Sequence, residues 1–236
     1  MKSNSIKLRR SDERGHVNHG WLDSRFTFSF ADYYDPASMG FRTLRVINDD
    51  TIAPSKGFGT HPHRDMEIIT YVIEGELAHK DSMGNGSVIK AGQFQRMSAG
   101  TGVEHSEFNP SSENQTHLLQ IWIVPEKEGL PPSYQELNSV SATQGRGLAL
   151  IAGHEGRKGT LKVHQDARLL FGRLGQGETA YYAVAKERGA WAQVIKGTIE
   201  MNGAVLGPGD GAAVEGVDQL AFKALEASEF LLFDLK

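Results

Sequence analysis

Two short stretches carry side chains that can gather around an ion. GTHPHRDMEI at 59–68 sets His61 and His63 two residues apart, with Glu67 four residues further on, and GTGVEHSEFN at 100–109 sets His105 and Glu107 at the same close spacing. In an extended strand, residues i and i+2 point to one side with Cα atoms roughly 6.5 to 7 Å apart, so each pair can converge on one ion. Two such strands side by side supply three imidazoles and one carboxylate, a donor set suited to a first-row divalent metal with coordination positions left open. Taken alone, HPH reads more readily as a solvated or hydrogen-bonded turn held by Pro62 than as a pair of ligands, and HSE is less specific still; their combination carries the expectation. Glu107 is one pleat from His105. Glu67 lies about 13 Å beyond His63 along a straight strand and needs a bulge or bend to reach the same ion. Glu107 is therefore the expected ligand, and Glu67 is expected to hold a supporting hydrogen bond or an ion pair with Arg64 or Arg96.

Strands must position these residues, and the chain is rich in them. FTFSF, LRVI, IITYVIEG, LLQIWIV, LALIAG, YYAVA, WAQVIKGTIEM and FLLFDL recur between glycine-containing turns, and 27 glycines in 236 residues fit a chain of many tight turns. This is the pattern of an all-β sandwich or barrel. The best helix signal is SYQELN at 133–138. A break is expected between Pro125 and Gly145, a polar stretch containing Pro125, Pro131 and Pro132, which gives domains at 1–133 and 134–236. VIEGEL at 72–77 followed by AGQ at 91–93 is echoed by VIKGTI at 194–199 followed by PGD at 208–210, as expected of two copies of one β-barrel unit. All nine histidines lie at or before His164, and in the second copy the positions matching His61 and His63 fall on Ala183 and Ala185. The first domain is the expected metal-binding one; the second is expected to lack metal ligands and to scaffold or close the pocket.

The other histidines carry structural expectations: His16 and His19 beside the turn before Trp21, His79 and His117 as polar positions on a sheet, His154 in a loop. His164 and Asp166 in VHQD are expected to hold the chain between the domains, and Phe26, Phe28 and Phe30 to share a core-facing side. A formal charge of −4 gives no general attraction to nucleic acid, so no direct nucleic-acid binding is expected. The absence of cysteine excludes disulfides, thiolate ligands and a cysteine nucleophile. No apolar signal core follows the basic amino terminus, and no run of about 20 apolar residues would span a membrane. A cytoplasmic monomer is the expectation.

Gly57, His61, His63, Glu67 and Gly75, then Gly92, His105 and Asn109, resemble the two sequence motifs of the cupin superfamily, with Ser98 or Gly100 where the second motif usually has proline. More narrowly, RGHVNHGWLDSRFTFSFADYYDPASMGFRTLRVINDD at 14–50, GFGTHPHRDMEIITYVIEGELAHKDSMGN at 57–85, QRMSAGTGVEHSEFNPS at 95–111 and LKVHQDARL at 161–169 look like the pirin family, in its bacterial branch described as quercetin 2,3-dioxygenases. The resemblance implies a bicupin whose amino-terminal barrel binds one metal through His61, His63, His105 and Glu107. Iron is the implied metal, while the donor set also accepts Ni, Cu, Mn, Co or Zn. The implied reaction is opening of a flavonol such as quercetin by O₂ with release of carbon monoxide, and Glu107 is also a candidate base for the flavonol proton. The alternatives are a metal-binding regulatory protein acting through a protein partner, as eukaryotic pirins are described, and a dioxygenase of another small phenolic or enediol substrate.

Overall fold

The computed structural model describes residues 5–138 and 147–236. The break expected at 125–145 thus lies outside the described residues from 139 onward. The described chain is all-β, as expected, its one helical turn being a 3₁₀ turn at Ser11–Glu13. It divides into two compact units: residues 15–138 with 155–165, and residues 5–14 with 147–154 and 166–236. This is not a single cut after residue 133. The first strand, β1 (Ser5–Arg9), belongs with the carboxy-terminal unit, whereas residues 134–138 and the short strand β14 (Leu161–Lys162) belong with the amino-terminal one.

The amino-terminal unit has a seven-stranded sheet in the order β12 (Ser133–Leu137), β9 (Phe94–Ser98), β6 (Glu67–Glu74), β11 (Thr116–Ile123), β4 (Leu44–Ile52), β3 (Leu22–Phe26) and β2 (Gly15–Asn18). Its second sheet has the order β5 (Gly57–His63), β10 (Val103–Phe108), β7 (Glu76–Asp81) and β8 (Gly86–Lys90). One core cluster draws Leu22, Ile52, Val72 and Leu118 from the first sheet and Leu77 and Ile89 from the second, so the two sheets close on each other. Each fully buried Leu, Ile or Val side chain contributes about 1.5–3 kcal/mol by leaving water. On β10 the alternation is plain: Val103, His105 and Glu107 are buried, while Glu104 and Phe108 are exposed. Phe26 and Phe28 are buried, and Phe30 packs its ring against Phe26 and Trp122.

SYQELN is not helical. Residues 133–137 form β12, which pairs antiparallel with β9 from Ser133↔Ser98 to Leu137↔Phe94. Its side chains serve two faces with period two: the Tyr134 hydroxyl meets Glu136 Oε1 and Gln95 Oε1, both at 2.9 Å, while Ser133 and Gln135 accept hydrogen bonds from Arg96. Pairing with a sheet edge and the demand of buried Arg96 for acceptors outweigh the local helix preference.

The carboxy-terminal unit repeats this plan. One sheet contains, in order, β1, β20 (Gly211–Glu215), β17 (Gly189–Lys196), β22 (Ser228–Leu235), β15 (Ala167–Leu174) and β13 (Gly147–Gly153); the other is β16 (Thr179–Ala183), β21 (Gln219–Ala224), β18 (Ile199–Met201) and β19 (Ala204–Leu206). The order β16-β21-β18-β19 parallels β5-β10-β7-β8, and β1 takes the edge position that β12 holds in the first unit. The interiors differ in chemistry. Ile199, Met201, Leu220, Phe222 and Ala224 are buried in one apolar cluster, where the first unit sets histidines and carboxylates. Among the described residues no helix is long and apolar enough to cross a membrane.

Candidate metal centre

Antiparallel pairing of β5 and β10 sets His61 opposite His105 and His63 opposite Val103. The three imidazoles of HPH and HSE therefore meet inside the amino-terminal unit. Ring centroids are 4.8 Å apart for His61 and His63, 4.5 Å for His61 and His105, and 4.9 Å for His63 and His105, and one nitrogen from each ring lies within 4.8 Å of the others. His61 Nδ1 lies 2.7 Å from the Gly59 carbonyl oxygen. That nitrogen donates, so the lone pair is on Nε2, the usual way in which a backbone oxygen fixes the tautomer of a metal-binding histidine. His105 is 2% exposed, yet neither of its ring nitrogens has a hydrogen-bond partner. An unsatisfied buried polar group costs about 1–3 kcal/mol, and a cation between the rings would remove that cost. Burial, with His61 nearby, pushes the His63 pKa down to about 4. Burial, with His61, His63 and His79 adding to it, takes His105 down to about 3. Both rings are neutral at physiological pH, the form that binds metal.

Glu107 follows His105 after a register shift in β10 relative to β5 and lies opposite Phe58 on that side and His79 on the other. It is 2% exposed. Its two oxygens take hydrogen bonds from the facing sheet: Gln95 Nε2 at 2.8 Å and Thr70 Oγ1 at 3.4 Å to Oε1, and Gln120 Nε2 at 2.8 Å to Oε2. Burial raises its pKa; His79, the Gln120 hydrogen bond, His61 and Thr70 oppose that rise without cancelling it. Glu107 enters a metal-capable group with His79 and His105, whose ligand atoms also lie within 4.8 Å of one another. His105 is common to this group and to the three-histidine one.

Glu67 belongs to neither group. Its Oε2 accepts from Ser98 Oγ at 2.9 Å and its Oε1 lies 3.1 Å from His164 Nδ1; Arg96 acts on it as a nearby positive charge and donates to Ser98 Oγ at 2.7 Å. Of the two arginines considered for Glu67, Arg96 fits. Arg64 faces Asp65 at 3.6 Å on the surface and lines a cleft of about 440 Å³ together with His63, Thr101 and Glu104. The remaining histidines lie elsewhere. His16 meets Asp23 at 3.1 Å, His117 meets Asp49 at 2.6 Å, and His19 and His154 are exposed.

The sequence does not single out Gln95, Gln120, Thr70 or Tyr134, and His79 is more than the polar sheet position expected of it, since it enters a metal-capable group. His79 had a signal: HKD at 79–81 repeats the i, i+2 spacing of HPH and HSE, and β7 is the other neighbour of β10. The glutamines and Thr70 had none, because they come from three strands of the opposite sheet, β9, β11 and β6.

A histidine cluster able to hold a metal, in a chain of two barrels of the same plan, defines the class: a two-domain cupin protein. The pirin family matches residues 7–123, and the quercetinase C-terminal cupin domain matches residues 150–235. The chain belongs to the pirin family. It is 53% identical over 98% of its length to a quercetin 2,3-dioxygenase of Escherichia coli, of which it covers 98%, and 42% identical over 94% of its length to a pirin-like protein of Caulobacter vibrioides, of which it covers 96%. Among solved structures, the bacterial pirin YhhW from E. coli in complex with nickel(II) is 51% identical, with a TM-score of 0.94 over 98% of this chain and 99% of that one.

Proposed function

We propose that this protein is a metal-dependent dioxygenase that opens the flavonol ring of quercetin or a related small phenolic with O₂ and releases carbon monoxide, its metal held by His61, His63, His105 and Glu107. The observation that carries this reading is the cluster itself: three converging imidazoles, half-buried at His61 and His63 and fully buried at His105, whose two nitrogens have no hydrogen-bond partner, with the buried carboxylate of Glu107, its pKa raised, next to His105. Relatives named quercetin 2,3-dioxygenase and the nickel(II) complex of YhhW support it. The donor set accepts iron, nickel and their neighbours, so the metal follows availability as much as ligand type.

A divalent metal here supplies Lewis acidity that lowers the pKa of a flavonol 3-hydroxyl. The chain's own residues do the rest. Burial makes Glu107 a stronger proton acceptor than an exposed glutamate, and it takes the 3-hydroxyl proton on a carboxylate oxygen. Gln95 and Gln120, donating to its two oxygens, fix the plane in which it does so. Ligand and base are competing roles for one carboxylate, so an oxygen engaged in one is released for the other. Trp122, with its ring 5.0 Å from His63, and Phe58, 6.4 Å from His61, set apolar surfaces beside the imidazoles that suit a flat aromatic substrate.

The test compares protein stripped by a chelator with the same protein reloaded with Fe, Ni, Cu, Mn, Co or Zn, each incubated aerobically with quercetin while the visible absorbance is followed. Turnover that returns with metal is the expected result. No turnover with any of these metals overturns the dioxygenase reading in favour of a binding or regulatory role.

A further inference from the structure

We propose that His79 is a further ligand of the metal centre, binding through the ring nitrogen that does not face Asp81. This rests on the proposed metal site and extends it to a third strand. His79 lies on β7, and its side chain is fully enclosed. One face stacks on Tyr134, with centroids 4.5 Å apart and planes 16° apart, and its centroid is 5.4 Å from that of His105. The ring is therefore held in one orientation.

Its tautomer follows from Asp81. Asp81 Oδ1 accepts from the backbone nitrogens of Met83 and Asn85, each at 3.0 Å, and Asn85 Nδ2 donates to Oδ2 at 2.9 Å; His79 Nε2 lies 3.1 Å from the same Oδ2. A carboxylate holding so many N–H donors has no proton to give, so Nε2 carries the hydrogen and donates it to Asp81. The lone pair is then on Nδ1, which is buried and has no partner. Both nitrogens of His105, one of which carries the lone pair of the neutral ring, are likewise buried without a partner, and a ring nitrogen of His79 lies within 4.8 Å of ligand atoms of His105 and Glu107. Unpartnered acceptors beside a carboxylate, with no donor to serve them, are the environment a cation satisfies. A carboxylate behind the far nitrogen is the support that metal-binding imidazoles use to fix their orientation and raise their basicity. The centre then has two overlapping groups that share His105: His61 and His63 on β5, and His79 and Glu107 on the other side. Exchange of His79 for Glu107 in the ligand set would free the carboxylate to act as the base.

The experiment uses the full-length protein labelled with ¹⁵N-histidine and loaded with Zn²⁺, a diamagnetic probe, with imidazole nitrogen shifts recorded before and after loading. Nδ1 of His79 is expected to move to a metal-bound position while Nε2 stays protonated. In parallel, His79→Gln is expected to weaken Ni²⁺ binding in chelator competition by about tenfold or more, within the range found when groups supporting a metal are removed. A His79 Nδ1 shift that does not change in zinc-loaded wild-type protein, as when a water bridges it, overturns the proposal even if His79→Gln fails to fold. Zinc shifts at His61, His63 and His105 without one at His79 leave the metal site standing and overturn only the part given to His79. No zinc shift at any of the four histidines overturns both.

Discussion

His105 is the residue on which the centre turns, since it is common to both metal-capable groups and has both ring nitrogens buried without a partner. His63→Ala and His105→Ala are each expected to abolish metal retention and quercetin turnover, measured by metal analysis and absorbance, while circular dichroism of the metal-free proteins stays that of the wild type. Retained metal in either variant would contradict the site. Glu107→Gln keeps the shape and removes the charge, so turnover should fall on the order of 10²-fold, the usual contribution of a positioned base, with the fold intact. Asp50 gives a separate pH signature. Burial, with Asp49 and Glu107 adding to it and the Ser24 hydrogen bond opposing it, raises its pKa to about 7. A folded-state pKa above the unfolded one means that the folded form binds the extra proton. Its contribution to stability is therefore complete below about pH 4 and is lost as pH rises through 7. Asp50→Asn should flatten the fall in stability between those limits in chemical denaturation of the metal-free protein; an unchanged slope would mean that Asp50 titrates normally.

Three neighbouring strands, β5, β10 and β7, bring the donors together, and their close approach depends on small residues. A Cβ at Gly57 would collide with the Glu107 carbonyl oxygen and meet Phe108 Cα at 2.5 Å, both backbone atoms that cannot swing aside. Gly57→Ala should thus part β5 from β10, costing about 1–3 kcal/mol as overpacking does, and weaken metal binding although no ligand has changed. Equal metal affinity in Gly57→Ala would show that the strand contact does not set the site. The same elements mark how far the sequence could be read. HPH and HSE were legible because the period of a strand is local, and so was the all-β character. Which strand lies beside which is not local: nothing in AHKD announces that β7 borders β10, and nothing in Gln95 or Gln120 says that their amides reach across to Glu107. SYQELN misled for the same reason, its local preference being overridden by pairing with β9.

Among the described residues one strand order is repeated twice, and the residues that group for a metal all lie in the first copy. Glycine turns and the VIEGEL and VIKGTI echo made the repeat readable, whereas the edge strands β1 and β12 fall on the far side of a cut after residue 133, because chain order does not fix which sheet a terminal strand joins. With all the proposed ligands in the amino-terminal unit, metal should protect that unit selectively. Metal at about 1,000 times its dissociation constant adds about 4 kcal/mol to the species that binds it. Hydrogen exchange should therefore slow in residues 15–138 on loading and stay unchanged in residues 166–236. The most direct measurement of the central claim is the gas released when the metal-loaded protein consumes quercetin in a sealed aerobic vessel. One carbon monoxide for each quercetin lost, with none from His105→Ala, is the expected result; bleaching of quercetin by the loaded protein without carbon monoxide would contradict it.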